Sequence, residues 1–301
     1  LKYPVVTTGT FDGVHLGHQT IIQRLTELAR LKNGQSVVLT FDPHPRLVLK
    51  TGIADKIELL STLDERISQI SQLGVDHLVV IRFDLDFSKM SSEAFIRNIL
   101  VHHIGTQMLV IGYDHHFGNN REGSFKSLRN NGSTYGFEVE EIPAKDVDQI
   151  AISSTRIRKA LLSGDIETAN EYLGRPYEFS GRVIAGDQRG RKIGFPTANL
   201  EISGERKLIP ANGVYAVKVK IAGKEGLHPG MLNIGIRPTV SYDGARTAEV
   251  HLINRDENLY GEVLQILLYG RIRDEKKFEN IAVLGSQLEH DRQRVLQLFS
   301  A

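Results

Sequence analysis

Residues 9–18 read GTFDGVHLGH and place Gly9, Gly13, Gly17, His15 and His18 between two segments of regular structure. The preceding run PVVTTG (4–9) has the composition of a buried strand. Residues 21–31 repeat their apolar positions at helical spacing, so Gly17 and His18 fall near a helix start. The first N–H groups of a helix lack partners within it and favour an anion. Glycines at such a junction allow a tight turn and close backbone approach, and two histidines three residues apart can converge on one ligand and donate to phosphate oxygens. The expected chemistry is therefore phosphate binding. Zinc is the weaker reading of H-x-x-H, because the chain has no cysteine and no second cluster of close ligand spacing.

A chain of 301 residues predicts about two domains, and 41% apolar content is ordinary for a globular protein. Thirty-seven basic against 36 acidic residues argue against a dedicated nucleic-acid or membrane surface. No apolar run approaches the roughly 20 residues that span a bilayer, and no signal-peptide pattern opens the sequence, which predicts a cytoplasmic protein. A monomer or weak homo-oligomer is expected. The first residue is leucine, so native residues can precede it.

Up to about residue 142, apolar strands (4–9, 36–41, 78–83, 108–113) alternate with amphipathic helices, one opened by Thr62 and Glu65 in capping-box spacing and one by Ser91 or Ser92. This predicts an α/β, doubly wound parallel sheet. Ligands of such sheets bind beyond the carboxyl ends of the strands, where the loops GTFDGVHLGH, TFDPHP and GYDHHFGNN all fall. A helical stretch follows (153–174), and then the apolar period changes to two: 213–221, 248–254 and 262–272 read as antiparallel strands of a small β-barrel. A terminal helix over 278–299 is expected to cover it through Leu288, Val295 and Leu298. The expected domains are 1–176 and 177–301.

The run GTFDGVHLGH resembles the phosphate-binding motif of the nucleotidyltransferase superfamily, and ISSTRIR (152–158) is similar to that family's distal phosphate-binding element. The resemblance implies that His15 and His18 act on the triphosphate and that Gly9, Phe11, Asp12, Gly17, Asp114, Ser154, Thr155, Arg156 and Arg158 bind ATP. Taken alone, SSTRIR reads as a capped helix with solvated arginines; its pairing with the first motif favours the phosphate role. Phe41, Pro43, His44 and Pro45 are expected to shape a flavin acceptor pocket, although such a loop equally suits turn scaffolding. Lys89, Met90, Ser91 and Ser92 resemble the KMSKS element of class I aminoacyl-tRNA synthetases, but a helix start explains them more simply.

In the second half, GRVIAGDQRGRKIGFPTANLEI (181–202) spaces Gly186, Gly190 and Gly194 four apart and ends in Pro196, Thr197, Ala198 and Asn199. Glycines alone would mark turns and bulges. Thr197 and Asn199 supply a hydroxyl and an amide oxygen, hard ligands suited to Mg²⁺ held by nucleotide phosphates. This run, with NIGIRPTV (233–240) and AEVHLIN (248–254), resembles riboflavin kinases. That resemblance implies Glu249 as catalytic base, Gly186, Gly190, Gly194 and Pro196 as ATP contacts, and Arg273 as a flavin contact.

Together the halves resemble a bacterial family with two activities, which implies riboflavin, FMN and ATP as substrates, Mg²⁺ as cofactor, and FMN and FAD as products. Cytidylyltransferases share the first motif, and the second half is what points to FMN as the acceptor. A non-catalytic flavin or nucleotide sensor is the alternative; the presence of His15, His18, Thr197, Asn199 and Glu249 weighs against it.

Overall fold

A computed structural model of the chain describes residues 1–49, 57–112, 116–117, 123–124, 128, 134–143, 152–186, 190–236, 246–255 and 257–300. Two units separate at Ser154/Thr155.

In the first unit, β1 (Pro4–Thr8), β2 (Gln35–Asp42), β3 (His77–Arg82), β4 (Met108–Gly112) and β5 (Glu138–Ile142) form a parallel sheet in the order β3–β2–β1–β4–β5. The order reverses between β1 and β4, and it is beyond the carboxyl ends of strands at such a switch point that ligands bind. Successive residues face opposite sides. Val5, Val38 and Met108 pack with Ile22, Leu25 and Leu28 of α1 (Leu16–Leu31), while Val6, Val37 and Leu109 pack with Phe95, Ile96 and Leu100. Full burial of each such side chain stabilises by roughly 1.5–3 kcal/mol. Phe95–Ile104 forms wide, π-type helical turns and ends on Gly105 in the left-handed region.

Two details depart from the sequence reading. Near-continuous apolar strands imply a sheet covered on both faces, but its edge is partly uncovered on both, where Val79 and Val80 of β3 are 36% and 39% exposed. The strand β5 carries Glu138, Glu140 and Glu141 in a five-residue run, and α1 with its C-cap accounts for two of these: Arg24 pairs with Glu140 at 2.7 Å and Lys32, the C-cap, with Glu138 at 3.2 Å.

In the second unit, β6 (Tyr177–Ile184), β7 (Ala198–Ile202), β8 (Gly213–Ile221), β9 (His228–Ile236), β10 (Arg246–Leu252) and β11 (Val263–Arg273) close an antiparallel barrel, β8–β9–β10–β7–β6–β11. Strict alternation of buried and half-buried residues along β11 puts Leu264, Ile266 and Leu268 inside. The helices α3 (Ser154–Ser163) and α4 (Ile166–Leu173) lead into the barrel and are tied to it. Asn170 Nδ2 donates to the Leu268 carbonyl at 2.9 Å, Ala211 N to the Leu161 carbonyl at 2.9 Å, and Arg271 to the Ser163 carbonyl at 3.2 Å.

The last helix, α5 (Ile281–Ser300), packs through Val295, Leu296 and Phe299 over Val214, Ala216 and Met231. It begins three residues later than expected. Leu298, expected among the packed residues, is 43% exposed, because the buried face runs through Val295 and Phe299, one turn apart.

Candidate active sites

The first site grows from the end of β1. His15 caps α1: its Nδ1 accepts the His18 N–H at 3.4 Å, so a neutral His15 ring carries its proton on Nε2. The His15 and His18 rings stack, with centroids 3.7 Å apart, and Phe11 meets His18 edge-on at 5.2 Å. The spacing expected to bring the two histidines together does so. His18 is half-buried, but its Nδ1 is enclosed and has no hydrogen-bond partner. Burial first, and the neighbouring His15 second, hold the His18 pKa well below the usual histidine range, so the ring is neutral at pH 7. A buried, unpartnered ring nitrogen beside a helix start is poised for a ligand that supplies the missing partner.

The loop between them is held from behind. Asp12 Oδ1 accepts the Leu60 and Ser61 N–H groups at 2.9 and 3.1 Å, and Gly13 N donates to Ser61 Oγ at 3.0 Å. Asp12 is 2% exposed, so its carboxylate serves the loop's anchorage. Gly13 sits at φ +83°, and a side chain there would also press on Leu60 at 2.8 Å. Gly9 N donates to the Leu39 carbonyl at 3.0 Å, Gly17 is buried in the first turn of α1, and Ser154 Oγ donates to the Asp12 carbonyl at 3.0 Å. Thr155 and Arg156 occupy the first turn of α3 and Arg158 the start of its second, in the second unit. Asp114 lies outside the described residues.

In the second loop, the Phe41 ring lies 5.9 Å from both Phe83 and Phe87, and His44 turns its Nδ1 to the Arg46 N–H, capping the short helix Pro45–Val48. Pro43 is exposed and follows a cis peptide bond. The KMSS element is a helix start, as expected: Ser91 Oγ accepts from Ala94 N at 3.2 Å, and Lys89 pairs with Asp86 on the surface.

The second site lies across three barrel strands. Glu249 on β10 stands opposite Asn199 on β7 and Asn233 on β9, which sets one carboxylate and two amides in a row on one face. Thr197 is exposed immediately before β7. The Asn199 amide rests on Gly186, where any side chain would collide with it, and a side chain at Gly190 would strike the Phe195 carbonyl. Gly194 lies in the left-handed region at φ +80°. The glycine spacing thus reflects close approach as well as turning. Residues 187–189 of this run and 237–240 of NIGIRPTV lie outside the described residues.

Sequence reasoning missed His251. It shares the outward face with Glu249, two residues along the strand, and bonds through Nδ1 to the Pro196 carbonyl at 2.8 Å. Burial lowers its pKa and outweighs the Pro196 bond, which raises it, so the ring is neutral; the bond itself holds the Pro196 carbonyl just before β7. Strand alternation in AEVHLIN was the available signal. Two clefts meet at Pro196. One, of about 190 Å³, is lined by Val183, Thr197, Leu252, Leu259 and Tyr260; the other lies between His251, Asn254 and Arg292.

Arg273, expected at the flavin, pairs with the fully buried Asp291 of α5 at 2.8 Å, and Gln287 donates to the other carboxylate oxygen at 2.9 Å. Its guanidinium fixes the end of β11 to α5.

Gly186→Ala is expected to displace the Asn199 amide. Misplacement of a positioned group by about 1 Å can cost about 10²-fold in rate, so the reaction of the barrel site should fall by up to about 10²-fold while that of the first unit is unchanged. Steady-state assay of the two steps in the folded variant checks this.

Residues 2–156 match the family model of FAD synthetase, and residues 173–299 match that of riboflavin kinase. Each half is thus a nucleotide-dependent transferase domain. The bifunctional riboflavin kinase/FMN adenylyltransferase of Listeria monocytogenes is 40% identical over 296 residues, 98% of this chain and 92% of the relative. Those of Escherichia coli and Bacillus subtilis are each 38% identical, again over 98% of this chain and 92% of the relative. The chain belongs to the bifunctional riboflavin kinase/FMN adenylyltransferase family. A crystal structure from Streptococcus pneumoniae, titled as a macrolide-efflux protein, superposes with TM-score 0.87 at 32% identity, covering 97% of this chain and 93% of that one. Among the described residues, no helix is long and apolar enough to cross a membrane.

Proposed function

We propose that the two reactions of this family are divided between the two sites described above, the first unit's loop serving adenylyl transfer and the barrel serving the kinase step. The enzyme converts riboflavin to FMN and FMN to FAD, using ATP in each step. The observation that carries the division is the cross-strand row of Glu249 and Asn199 beside Thr197, because it sets a proton acceptor next to hard oxygen donors.

In the kinase step, the riboflavin 5′-hydroxyl oxygen attacks the γ-phosphorus, its proton passes to Glu249, and the bond to the β-phosphate oxygen breaks to release ADP. The Thr197 hydroxyl and Asn199 amide oxygen fit Mg²⁺, which favours such ligands and keeps several positions for phosphates and water. Among the described residues no group of three or more His, Cys, Asp or Glu could hold a metal alone. The ion would neutralise phosphate charge there.

In adenylyl transfer, an FMN phosphate oxygen attacks the α-phosphorus of ATP in line and pyrophosphate leaves. No protein nucleophile is needed, so positioning and charge stabilisation carry the catalysis. His15 and His18 donate to the phosphates. Gly9, Phe11 and Gly17 shape the loop around them, and Ser154, bonded to the Asp12 carbonyl, and Asp114 are assigned to the same nucleotide site. Phe41, Pro43, His44 and Pro45 border the flavin. Gly186, Gly190, Gly194 and Pro196 shape the kinase nucleotide site, and Arg273 orders the segment that borders its flavin. A cytoplasmic location and a monomeric or weakly associating state belong to the same proposal.

Nucleotide competition tests the first site. With FMN, ATP should give FAD and one pyrophosphate per FAD, and CTP should not substitute. Orthophosphate in place of pyrophosphate, or efficient CMP transfer, would place this unit in another branch of the nucleotidyltransferases.

A further inference from the structure

Neither the motifs nor the reaction scheme uses Arg66, yet it is the most deeply buried cation beside the first site's loops. It projects from α2 (Leu63–Ser71), whose start is locked by the Thr62–Glu65 capping box. Its side chain is 5% exposed. One guanidinium nitrogen donates to the Thr10 carbonyl at 2.7 Å, inside the GTFDG loop, and another to Asp42 Oδ1 at 3.3 Å, immediately before Pro43 of the second loop. Its Nε is buried with no hydrogen-bond partner.

This arrangement is costly as a way of holding the fold. Burial depresses the Arg66 pKa despite the attraction of Asp42 and Asp12, and its ion-pair partner Asp42 is itself 39% exposed, so the pair offsets little of that cost. What an apolar residue cannot reproduce is the fork, which fixes two acceptors on two loops at once. The segment carrying Arg66 also holds the same loop elsewhere, through the Leu60 and Ser61 N–H groups on Asp12.

We propose that Arg66 is a positioning residue for adenylyl transfer, which sets the phosphate loop at Thr10 and the acceptor loop at Asp42 in fixed relation to one another. The inference rests on the assignment of adenylyl transfer to this unit. Misplacement of reacting groups by about 1 Å can cost about 10²-fold in rate, which sets the scale of the effect.

The test uses the full chain, with riboflavin phosphorylation by the same polypeptide as the internal reference. In Arg66→Met, kcat for FAD formation from FMN and ATP should fall about 10²-fold, with KM for ATP within about threefold and the kinase step unchanged. Arg66→Lys, which keeps the charge but reaches only one acceptor, should fall between wild type and Arg66→Met. Asp42→Ala should also lower kcat, and adding Arg66→Met to it should cost less than the product of the two single losses, because both remove one tether. If Arg66→Met fails to fold, the Lys and Asp42 variants carry the test. Wild-type kcat in folded Arg66→Met or in both remaining variants would overturn the proposal. So would a rise in KM for ATP at constant kcat, which would mark Arg66 as a phosphate ligand. Absence of FAD formation by the wild-type chain would instead overturn the assignment of the unit.

Discussion

In Glu249→Gln, riboflavin phosphorylation is expected to fall by about 10²–10⁴, the range attributed to a positioned general base, while supplied FMN still becomes FAD. The substitution preserves size and one acceptor oxygen, so the row with Asn199 and Asn233 should persist. The loss should appear in kcat, since the proton is transferred only as the γ-phosphorus is attacked. Chromatography of the flavins separates the steps: riboflavin accumulates in one reaction and FAD forms in the other. Near-normal FMN production by the folded variant would remove Glu249 from the role of base.

The complementary change, His18→Ala, removes a donor from the adenylyl-transfer site and should cost about 10²–10³ in FAD formation, by comparison with loss of one preorganised donor. Riboflavin should stop at FMN. The same variant tests the electrostatics of the pair. Because the folded pKa of His18 lies well below the ordinary value of 6.5, the unfolded chain binds the proton more readily. Stability is therefore full above about pH 6.5 and declines as pH falls from there toward the folded pKa. His18→Ala should flatten that part of the pH dependence. An unchanged slope in denaturant titrations between pH 6.5 and 5 would show that His18 is not held neutral by the fold.

Much of this was legible in the sequence because it depends on local rules. The strand, glycine loop and helix start bring His15 and His18 into contact within four residues, and no tertiary information is needed to infer it. The Thr62–Glu65 capping box formed as its spacing indicates. The barrel followed from period-two alternation. What was not legible depends on partners distant in sequence. The carboxylates of β5 hide a strand that becomes explicable once Arg24 of α1 and Lys32, just after it, lie beside them. The pairing of Arg273 with Asp291, 18 residues away, leaves no mark in the sequence. Arg66 carries no motif, and its importance comes from Thr10 and Asp42, which are 56 and 24 residues away. The helical stretch before the barrel reads as the end of the first half, but α4 is bonded through Asn170 to Leu268 of β11 and groups with the second unit.

The most direct test of two independent sites on one chain is complementation. Glu249→Gln and His18→Ala are each incubated with riboflavin, ATP and Mg²⁺, alone and mixed, and the flavins are followed by chromatography. Separately, the first should leave riboflavin and the second should accumulate FMN; mixed, they should produce FAD, as FMN released by one is adenylylated by the other. A mixture of folded variants that still makes no FAD, or a single variant that has lost both steps, would contradict the division of the chemistry between the two units.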